Sequence, residues 1–239
     1  MTSFLLRTDD LLRGRLDSKP VSAASGAVKP RRVLGHLLVT VLAFGLFYGA
    51  VMGAFGAFAH AGLSRAAHSD LPRQMLYSAL KVPLLLLVTF GLSLPSFFVL
   101  NTVLGVRGDF SRVLQGLIAT QAVLTTVLAS LAPLTAFWYA AAPDYNGALL
   151  FNAAAFGVAS LAAQRLLRRT YRPLVAADPR HRILLRLWIV IYAFVGIQMA
   201  WVLRPFIGDP HTPTGFFRHD AWGNAYEQFA RALAHAVGW

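Results

Sequence analysis

The sequence predicts an all-α fold, a polytopic helix bundle integral to a membrane, with five transmembrane helices and an interfacial amphipathic helix at each end. The first observation is composition, since 56% of the 239 residues are hydrophobic and only 13% are charged, against about 25% in soluble domains. The second is a set of five apolar stretches, each near the ~20 residues needed to cross a bilayer. The third is an uneven distribution of Lys and Arg between the loops.

The five apolar stretches contain no Asp or Glu, and they cover approximately residues 33–61, 82–104, 113–140, 147–164 and 183–203. The first is long enough to tilt or to project past the bilayer, and the fourth is the shortest. Pro83 disfavours the α conformation at Val82, so residues 71–81 are predicted to form a separate interfacial helix. The domains that follow are a cytoplasmic N-terminal segment (1–32), a five-span bundle (33–204) and an extracytoplasmic C-terminal segment (205–239).

Both flanking segments carry amphipathic patterns. Residues 3–16, SFLLRTDDLLRGRL, mix Leu and Phe with Arg and Asp, as a helix lying at a membrane surface does. Residues 224–239 place apolar side chains along one helical face, but Glu227, Arg231 and His235 make this segment a poor sixth span. An ordinary packed or solvated helix is the alternative for both segments.

The bases orient the predicted bundle. With the N-terminus in the cytoplasm and five crossings, sixteen of the twenty-two Lys and Arg residues lie inside or at an inner span end, as the positive-inside rule requires. The loop 141–146 has no base, whereas residues 165–182 have six. The abundance of Ala, Leu and Arg is typical of a GC-rich bacterial genome. We therefore expect a multi-pass protein of the bacterial inner (cytoplasmic) membrane with its C-terminus outside.

Three glycines at helical spacing, Gly45, Gly49 and Gly53, predict a close-packing face on the first span. Glycine costs about 1 kcal/mol relative to Ala in a helix in water, but in a membrane the helix is enforced and small residues let another helix approach closely. The fourth span has a similar pattern in which alanine replaces some of the glycines, with Ala153 and Gly157 four residues apart. We expect these faces to pair the first and fourth spans or to bind a partner subunit. The alternative is the general abundance of Gly and Ala in membrane helices.

Cationic side chains near the predicted span ends are candidates for contacts with lipid or a partner. Lys81, Arg186 and Arg204 lie there. They either snorkel to the head groups or form a cationic site for lipid phosphate or an acidic partner. The basic residues 165–182 would attract anionic lipid at roughly 1 kcal/mol per base near the surface. The contact candidates in that segment are Arg168, Arg169 and Arg172.

Polar side chains recur along the second and third spans. Gln121 and Thr125 lie four residues apart in the third span, and Asn101 lies near the end of the second. Interhelical hydrogen bonds, worth ~0.6 kcal/mol each on average, would account for such residues. A polar pathway or a cavity for a lipid head group is the alternative.

The sequence does not indicate a reaction, and we expect no catalytic residue, metal or cofactor. The chain has no cysteine, which excludes disulfides, thiolate metal sites and a Cys nucleophile. His36 and His60 lie in one span, about 36 Å apart at 1.5 Å per residue, which is too far to ligate one haem. The spans contain no carboxylate, although proton-coupled transporters usually need one.

Residues 208–220, GDPHTPTGFFRHD, gather four possible oxygen and nitrogen ligands. They could hold zinc, but a polar loop with local His–Asp pairing is far commoner. Asp178 and His181 form a weaker pair of the same kind in the predicted cytoplasmic loop. The four residues of the outer loop are Asp209, His211, His219 and Asp220.

Residues 101–137, NTVLGVRGDFSRVLQGLIATQAVLTTVLASLAPLTAF, resemble the Yip/Yif family. Members of that family have a cytoplasmic N-terminus, five spans and a Gly-rich short loop, here with Gly105 and Gly108, before a long span with an inner Pro, here Pro133. The stretches ALKVPLLLLVTFGLSLPSFFVLN and GIQMAWVLRPFIGDP resemble a group of uncharacterised bacterial multispanning proteins. The Yip/Yif resemblance implies partners in membrane organisation or trafficking. Neither resemblance implies an enzyme.

The leading functional hypothesis is a non-catalytic membrane subunit or scaffold that packs with membrane lipids, with partner membrane proteins or with copies of itself. A small channel or transporter that uses the polar faces of the second and third spans is one alternative. A lipid-modifying enzyme with Arg204 and the outer loop at its site is another. A net charge of +12 would suggest nucleic acid in a soluble protein, but these bases follow the topology, so we expect no nucleic-acid partner.

Overall fold

The structure is a computed structural model that describes residues 30–58, 70–142, 144–208 and 214–217, of which 89% are helical. Its helices are α1 (Pro30–Gly53), α2 (Leu71–Val103), α3 (Phe110–Ala141), α4 (Tyr145–Ala177) and α5 (Arg180–Leu203). A further single turn, Phe55–Phe58, continues α1, and the 3₁₀ turn Arg107–Asp109 precedes α3. The amphipathic helices predicted at 3–16 and 224–239 lie outside the described residues.

Five helices in the described part of the chain are long and apolar enough to cross a membrane, which is the predicted number. α2, α3 and α4 have 33, 32 and 33 residues. At 1.5 Å per residue each is about 50 Å long. They therefore exceed the ~30 Å hydrocarbon layer, so their ends would extend beyond any bilayer that they cross.

The prediction of a separate helix at 71–81 is wrong, because α2 runs without a break through Pro83 and Pro95. A proline inside a helix removes one backbone hydrogen bond and clashes with the preceding turn. Here Pro83 is buried against Gly45 of α1, where an added Cβ would lie 3.2 Å from the proline Cβ. Pro95 is exposed and also lies inside α2, so neither proline ends the helix.

α4 continues beyond the predicted fourth span, 147–164, to Ala177, so most of the predicted basic loop is helical. Leu167, Tyr171 and Leu174 recur at helical spacing and are buried, while the arginines between them are exposed. Such an amphipathic pattern is typical of a surface helix. It extends α4 well beyond its apolar stretch.

The helices form an open row in the order α5, α2, α1, α3, α4. α1 packs extensively against both α2 and α3, while α2 also packs against α5, and α3 against α4. The two outermost helices, α4 and α5, are joined by only Asp178 and Pro179, yet they contact each other little. The row therefore curves round without closing, and a cleft lies between α4 and α5.

The two ends of the bundle differ in charge. We call the end where α2 and α4 finish and α3 and α5 begin the arginine end, and the other the opposite end. Nine arginines are exposed at the arginine end: Arg107, Arg112, Arg165, Arg168, Arg169, Arg172, Arg180, Arg182 and Arg186. The bases in the described part of the opposite end are Arg73, Lys81 and Arg204.

Candidate functional site

A cavity of about 530 Å³ lies in the cleft and is lined by α2, α3, α4 and α5, with Met52 from α1. Leu149 of α4 and Ile197 of α5 line its rim, where they are 49% and 54% exposed. The cavity therefore opens sideways between these two helices. Trp188, which is buried, lines it toward the arginine end, and Phe206 lines it toward the opposite end. The volume is within the ~300–1,000 Å³ range of small-molecule sites.

Small side chains explain why this space exists. Ala153 and Ser160 of α4 line the cavity, as do Ala193 and Gly196 of α5. An added Cβ at Gly196 would lie 3.5 Å from Thr89 Cγ2 of α2, which is an ordinary van der Waals contact. α5 thus lies against α2 at Gly196, while short side chains leave room on the side of α4.

The cavity wall is apolar except for a few uncharged polar groups. Tyr192 OH of α5 donates to Gln121 Oε1 of α3 at 2.9 Å, which joins these two helices. Thr89 is 1% exposed. Its Oγ1 and the Oε1 of Gln164 are buried without a hydrogen-bond partner among the described residues. None of the described residues that line the cavity is charged, so the site is suited to an uncharged, mainly apolar molecule.

A buried hydrogen-bond network beside the cavity joins α4 to α1 and α3. Tyr48 OH donates to Asn152 Oδ1 at 2.9 Å, and Asn152 Nδ2 donates to Tyr139 OH at 2.6 Å. Tyr139 OH in turn donates to Met52 O at 3.3 Å. Sequence reasoning misses Asn152, whose signal is an amide side chain inside the apolar stretch 147–164.

Lys81 is fully buried in α2, and its Nζ donates to Pro205 O at 2.6 Å. One and two turns earlier in α2, Ser78 Oγ and Gln74 Nε2 both donate to Phe206 O. These bonds attach the chain that follows α5 to α2 at the opposite end. Phe206 also lines the cavity, so the same attachment fixes that part of the cavity wall.

Two cations near this attachment lie over aromatic rings. Lys81 Nζ is 5.1 Å from the centroid of the Phe216 ring, and Arg204 Cζ is 3.1 Å from the centroid of the Trp201 ring. Such contacts stabilise a cation that is partly removed from water. The described contacts of Lys81 and Arg204 are thus with the chain itself, and a contact with lipid or a partner stays a prediction.

The three glycines of the first span face α2, not α4. An added Cβ at Gly49 would lie 2.7 Å from Ala79 Cα, and closer still to Ser78 O. α1 and α2 can pack at this distance only because no side chain lies between their backbones. The pairing expected between the first and fourth spans is absent at Gly157, where an added Cβ would meet nothing within 4 Å among the described residues. We call the three residues that face α2 the glycine seam: Gly45, Gly49 and Gly53.

The polar residues predicted on α2 and α3 bond mainly within their own helices. Thr125 Oγ1 donates to Gln121 O at 3.2 Å, and Asn101 Nδ2 donates to Phe97 O at 2.8 Å. Bonds to the carbonyl one turn back leave few polar groups for a neighbouring helix. Gln121 does reach another helix, through its bond with Tyr192. The predicted polar stripe therefore forms bonds mainly within single helices, and Gln121 provides the bond to another helix.

A histidine and a carboxylate meet at the arginine end although they are 72 residues apart in the sequence. His181, which is 1% exposed, places Nε2 3.2 Å from Asp109 Oδ2. The carboxylate of Asp178, which the sequence pairs with His181, instead accepts from the backbone N–H of Arg180 at 2.9 Å. Arg180 Nη1 donates to Leu104 O at 3.2 Å. These contacts attach the start of α5 to the junction of α2 and α3.

The remaining predicted residues are exposed or lie outside the described residues. The arginines expected to contact lipid are all exposed at the arginine end: Arg168, Arg169, Arg172 and Arg186. In the described part of the chain, no group of three or more His, Cys, Asp or Glu is placed to hold a metal. The candidate residues that lie outside the described ranges are His60, Asp209, His211, His219 and Asp220.

Comparison with known proteins adds no relative, since no protein-family model, no curated protein and no solved structure matches the chain. The resemblance of residues 101–137 to the Yip/Yif family therefore stays a prediction. The same holds for the resemblance of two other stretches to bacterial multispanning proteins. Function is inferred from the cavity and from the contacts around it.

Proposed function

We propose that this chain is an integral protein of a bacterial inner membrane, with its N-terminus in the cytoplasm and its C-terminus outside. Five described helices are long and apolar enough to cross a bilayer. Large apolar side chains such as Leu150 and Phe137 are 70% and 68% exposed on the bundle surface, where lipid would cover them. Nine exposed arginines at the arginine end, against three bases in the described part of the opposite end, indicate the cytoplasmic side.

Because the chain has no cysteine, single cysteines can test this orientation. Gly108 lies at the arginine end and Asn146 at the opposite end, and both are exposed. In intact spheroplasts, a membrane-impermeant maleimide is expected to label Asn146→Cys and to label Gly108→Cys only after lysis. The reverse pattern would overturn the orientation. Release of the chain by alkaline carbonate would overturn insertion in the membrane.

Within the membrane, the protein is proposed to be non-catalytic and to bind lipid, with the cavity between α4 and α5 as the site. The observation that carries this proposal is an apolar cavity of about 530 Å³ that opens sideways between two helices. A molecule dissolved in the hydrocarbon layer would reach such a cavity without crossing water. No described residue that lines it is charged, which agrees with an apolar occupant.

The cavity is too small to enclose a helix of a partner protein, whereas part of a lipid molecule can enter it. A transmembrane helix about 10 Å wide and 30 Å long occupies on the order of 2,400 Å³. The cavity, at about 530 Å³, holds only a fraction of that volume. Since lipid chains are as apolar as the wall itself, binding depends on the shape of the cavity and on its few polar groups.

The test is lipid retention after extraction in a mild detergent and size-exclusion chromatography, measured by mass spectrometry. Gly196→Leu would place a branched side chain beside Thr89, which also lines the cavity, so we expect it to lose most of the lipid that the wild-type protein retains. Gly91→Leu is the matched control, because Gly91 is exposed on α2 and an added Cβ there meets nothing within 4 Å. Equal lipid content in the wild type and in a folded Gly196→Leu protein would contradict the proposal.

A role as a subunit or scaffold is a second candidate, favoured by the exposed Gly157. An added Cβ there meets nothing within 4 Å, and the neighbouring Val158 and Leu161 are 54% and 63% exposed. A partner helix or a second copy of the chain could approach closely at this point. Gly157→Leu is expected to displace a co-purifying subunit, or to reduce the mass of the oligomer, at unchanged thermal stability. Identical mass and composition in the wild type and the variant would contradict this role.

A further inference from the structure

We propose that the cavity recognises a neutral lipid with a free hydroxyl group that donates to Gln164, and that Thr89 donates to an oxygen of the same lipid. The proposal rests on the lipid-binding function proposed above and specifies the chemistry of the ligand. It stands on two buried polar atoms without partners and on the uncharged wall.

Thr89 differs from most hydroxyl side chains of α2 and α3. A helical hydroxyl usually bonds to the carbonyl one turn back, which satisfies it inside its own helix. Thr89 lines the cavity and is 1% exposed, and its Oγ1 has no hydrogen-bond partner among the described residues. A ligand that bonds to this hydroxyl would therefore not have to replace a bond within the protein. The hydroxyls that do bond one turn back are those of Ser93, Thr102, Thr120, Thr125, Thr126, Ser130 and Thr135.

Gln164 provides the second polar group, from α4 instead of α2. It also lines the cavity, and its Oε1 is buried without a partner in the described part of the chain. An amide oxygen can only accept a hydrogen bond, whereas a hydroxyl both donates and accepts. A ligand hydroxyl can therefore donate to Gln164 Oε1, and an oxygen of the same ligand can accept from Thr89 Oγ1. An ether, an ester or a ketone has no hydrogen to donate and leaves the amide oxygen unsatisfied.

The surroundings of these two residues disfavour a charged head group. No described residue that lines the cavity carries a charge, and a phosphate buried without a cation would be strongly destabilised. Thr89 is near the middle of the 33-residue α2, and Gln164 is near the middle of the 33-residue α4. Thr89 therefore lies far from both ends of the bundle, while Gln164 directly precedes Arg165 of the arginine end. Diacylglycerols and long-chain alcohols have the required chemistry: an uncharged hydroxyl and apolar chains that can extend to the rim.

The test compares two probes that differ only at the hydroxyl, dioleoylglycerol and its methyl ether. The full chain is placed in phosphatidylcholine nanodiscs that contain both probes in equal amounts, then extracted in detergent, and the retained lipids are measured by mass spectrometry. We expect the wild type to retain the alcohol about tenfold over the ether, as the loss of one or two hydrogen bonds implies. In the double variant Thr89→Val/Gln164→Leu the ratio is expected to fall to about one.

A matched control carries the same two substitutions outside the cavity. Thr102→Val/Gln115→Leu changes exposed residues of α2 and α3, so it is expected to keep the wild-type ratio. Since the ratio compares two probes on one sample, partial unfolding of a variant lowers both amounts together. A high ratio that persists in Thr89→Val/Gln164→Leu would overturn the assignment to these residues.

The outcomes separate this inference from the function on which it rests. If the wild type retains the alcohol and the ether equally, and Gly196→Leu loses both, the hydroxyl specificity is wrong and the lipid site remains. If the wild type retains neither probe and no phosphatidylcholine, the lipid site and the hydroxyl specificity are both overturned.

Discussion

Small residues have opposite effects on two sides of the bundle: the closely packed side, formed by α1 with α2 and α3, and the open side between α4 and α5. In the glycine seam, α2 approaches α1 until an added Cβ at Gly49 would lie 2.7 Å from Ala79 Cα. On α4 and α5, by contrast, the small residues Ser160 and Ala193 line a cavity. A small side chain thus permits a close contact where two backbones converge and leaves space where they stay apart. Small-residue spacing by itself does not distinguish these two results.

The difference follows from the neighbours to which each helix is attached. Lys81 Nζ bonds to Pro205 O at 2.6 Å just after α5, and His181 at the start of α5 lies 3.2 Å from Asp109. Both ends of α5 are therefore held on the side of α2 and the turn before α3. α4 is attached to α1 and α3 through Asn152. Because α4 and α5 are held by different neighbours, the cleft between them stays open.

Gly49→Leu is expected to have the largest effect, because it forces apart the closely packed side. Overpacking a core costs about 1–3 kcal/mol and occasionally more. The obstacle to the new side chain is the backbone of α2 at Ser78 and Ala79, which a side-chain rotation cannot relieve. We therefore expect the upper part of that range or loss of the fold. Thermal stability and size-exclusion profile in detergent are the measurements.

Gly91→Leu makes the same substitution on α2 where an added Cβ meets nothing within 4 Å. We expect its Tm to match that of the wild type, since the new side chain lies on an exposed face. If Gly49→Leu lowers the Tm no more than Gly91→Leu does, α1 and α2 do not pack as closely as described, and the contrast between the two sides fails.

Asn152→Leu is expected to have an intermediate effect, because it removes the hydrogen bonds that join α4 to Tyr48 of α1 and Tyr139 of α3. The change leaves the buried hydroxyls of Tyr48 and Tyr139 without their amide partner. Unsatisfied buried groups of this kind cost about 1–3 kcal/mol. At ~2–4 °C per kcal/mol for a chain of this size, the Tm should fall by about 2–12 °C.

Asn101→Leu is the matched control for the loss of an amide. Asn101 is equally buried, but its Nδ2 bonds to Phe97 O in its own helix, and its Oδ1 has no partner among the described residues. Its removal leaves no group of a neighbouring helix unsatisfied, so we expect little change in Tm. Equal losses in the two variants would show that the network at Asn152 does not hold α4.

The number of long helices and the charge of their ends can be predicted from the sequence, because hydropathy and charge are local properties. Helix ends are harder to predict, since α2 continues through Pro83, which packs against Gly45, and also through the exposed Pro95. α4 continues because Leu167 and Tyr171 face the core. Glycine spacing indicates a close-packing face but not its partner, which depends on the backbone that lies opposite.

The candidate site is less predictable than the helices, because it results from two helices that fail to meet. Gln121 belongs to the polar stripe predicted from the sequence and does line the cavity. Its partner Tyr192 is 71 residues away, and Thr89 and Gln164 come from two further helices. The sequence does not show that the polar atoms of Thr89 and Gln164 lack partners, since that depends on the packing around them.

Tyr192→Phe is expected to have the smallest effect, because it acts on the open side. It removes only the bond from Tyr192 OH to Gln121 Oε1. Interhelical hydrogen bonds in membrane proteins average ~0.6 kcal/mol, so the Tm should fall by no more than about 2 °C. Tyr139→Phe is the matched change on the closely packed side and is expected to cost more, since Tyr139 OH bonds to both Asn152 and Met52.

A Tm loss for Tyr192→Phe as large as that for Asn152→Leu would mean that this bond keeps α5 in place, instead of the attachments at its two ends. The open side would then depend on one buried contact, as the closely packed side depends on Asn152. Alternatively, the Tm loss of Tyr192→Phe could be small without lipid but larger in the presence of dioleoylglycerol. It would place the hydroxyl of Tyr192 in the ligand site beside Thr89 and Gln164, because only a bound ligand could make its removal more costly.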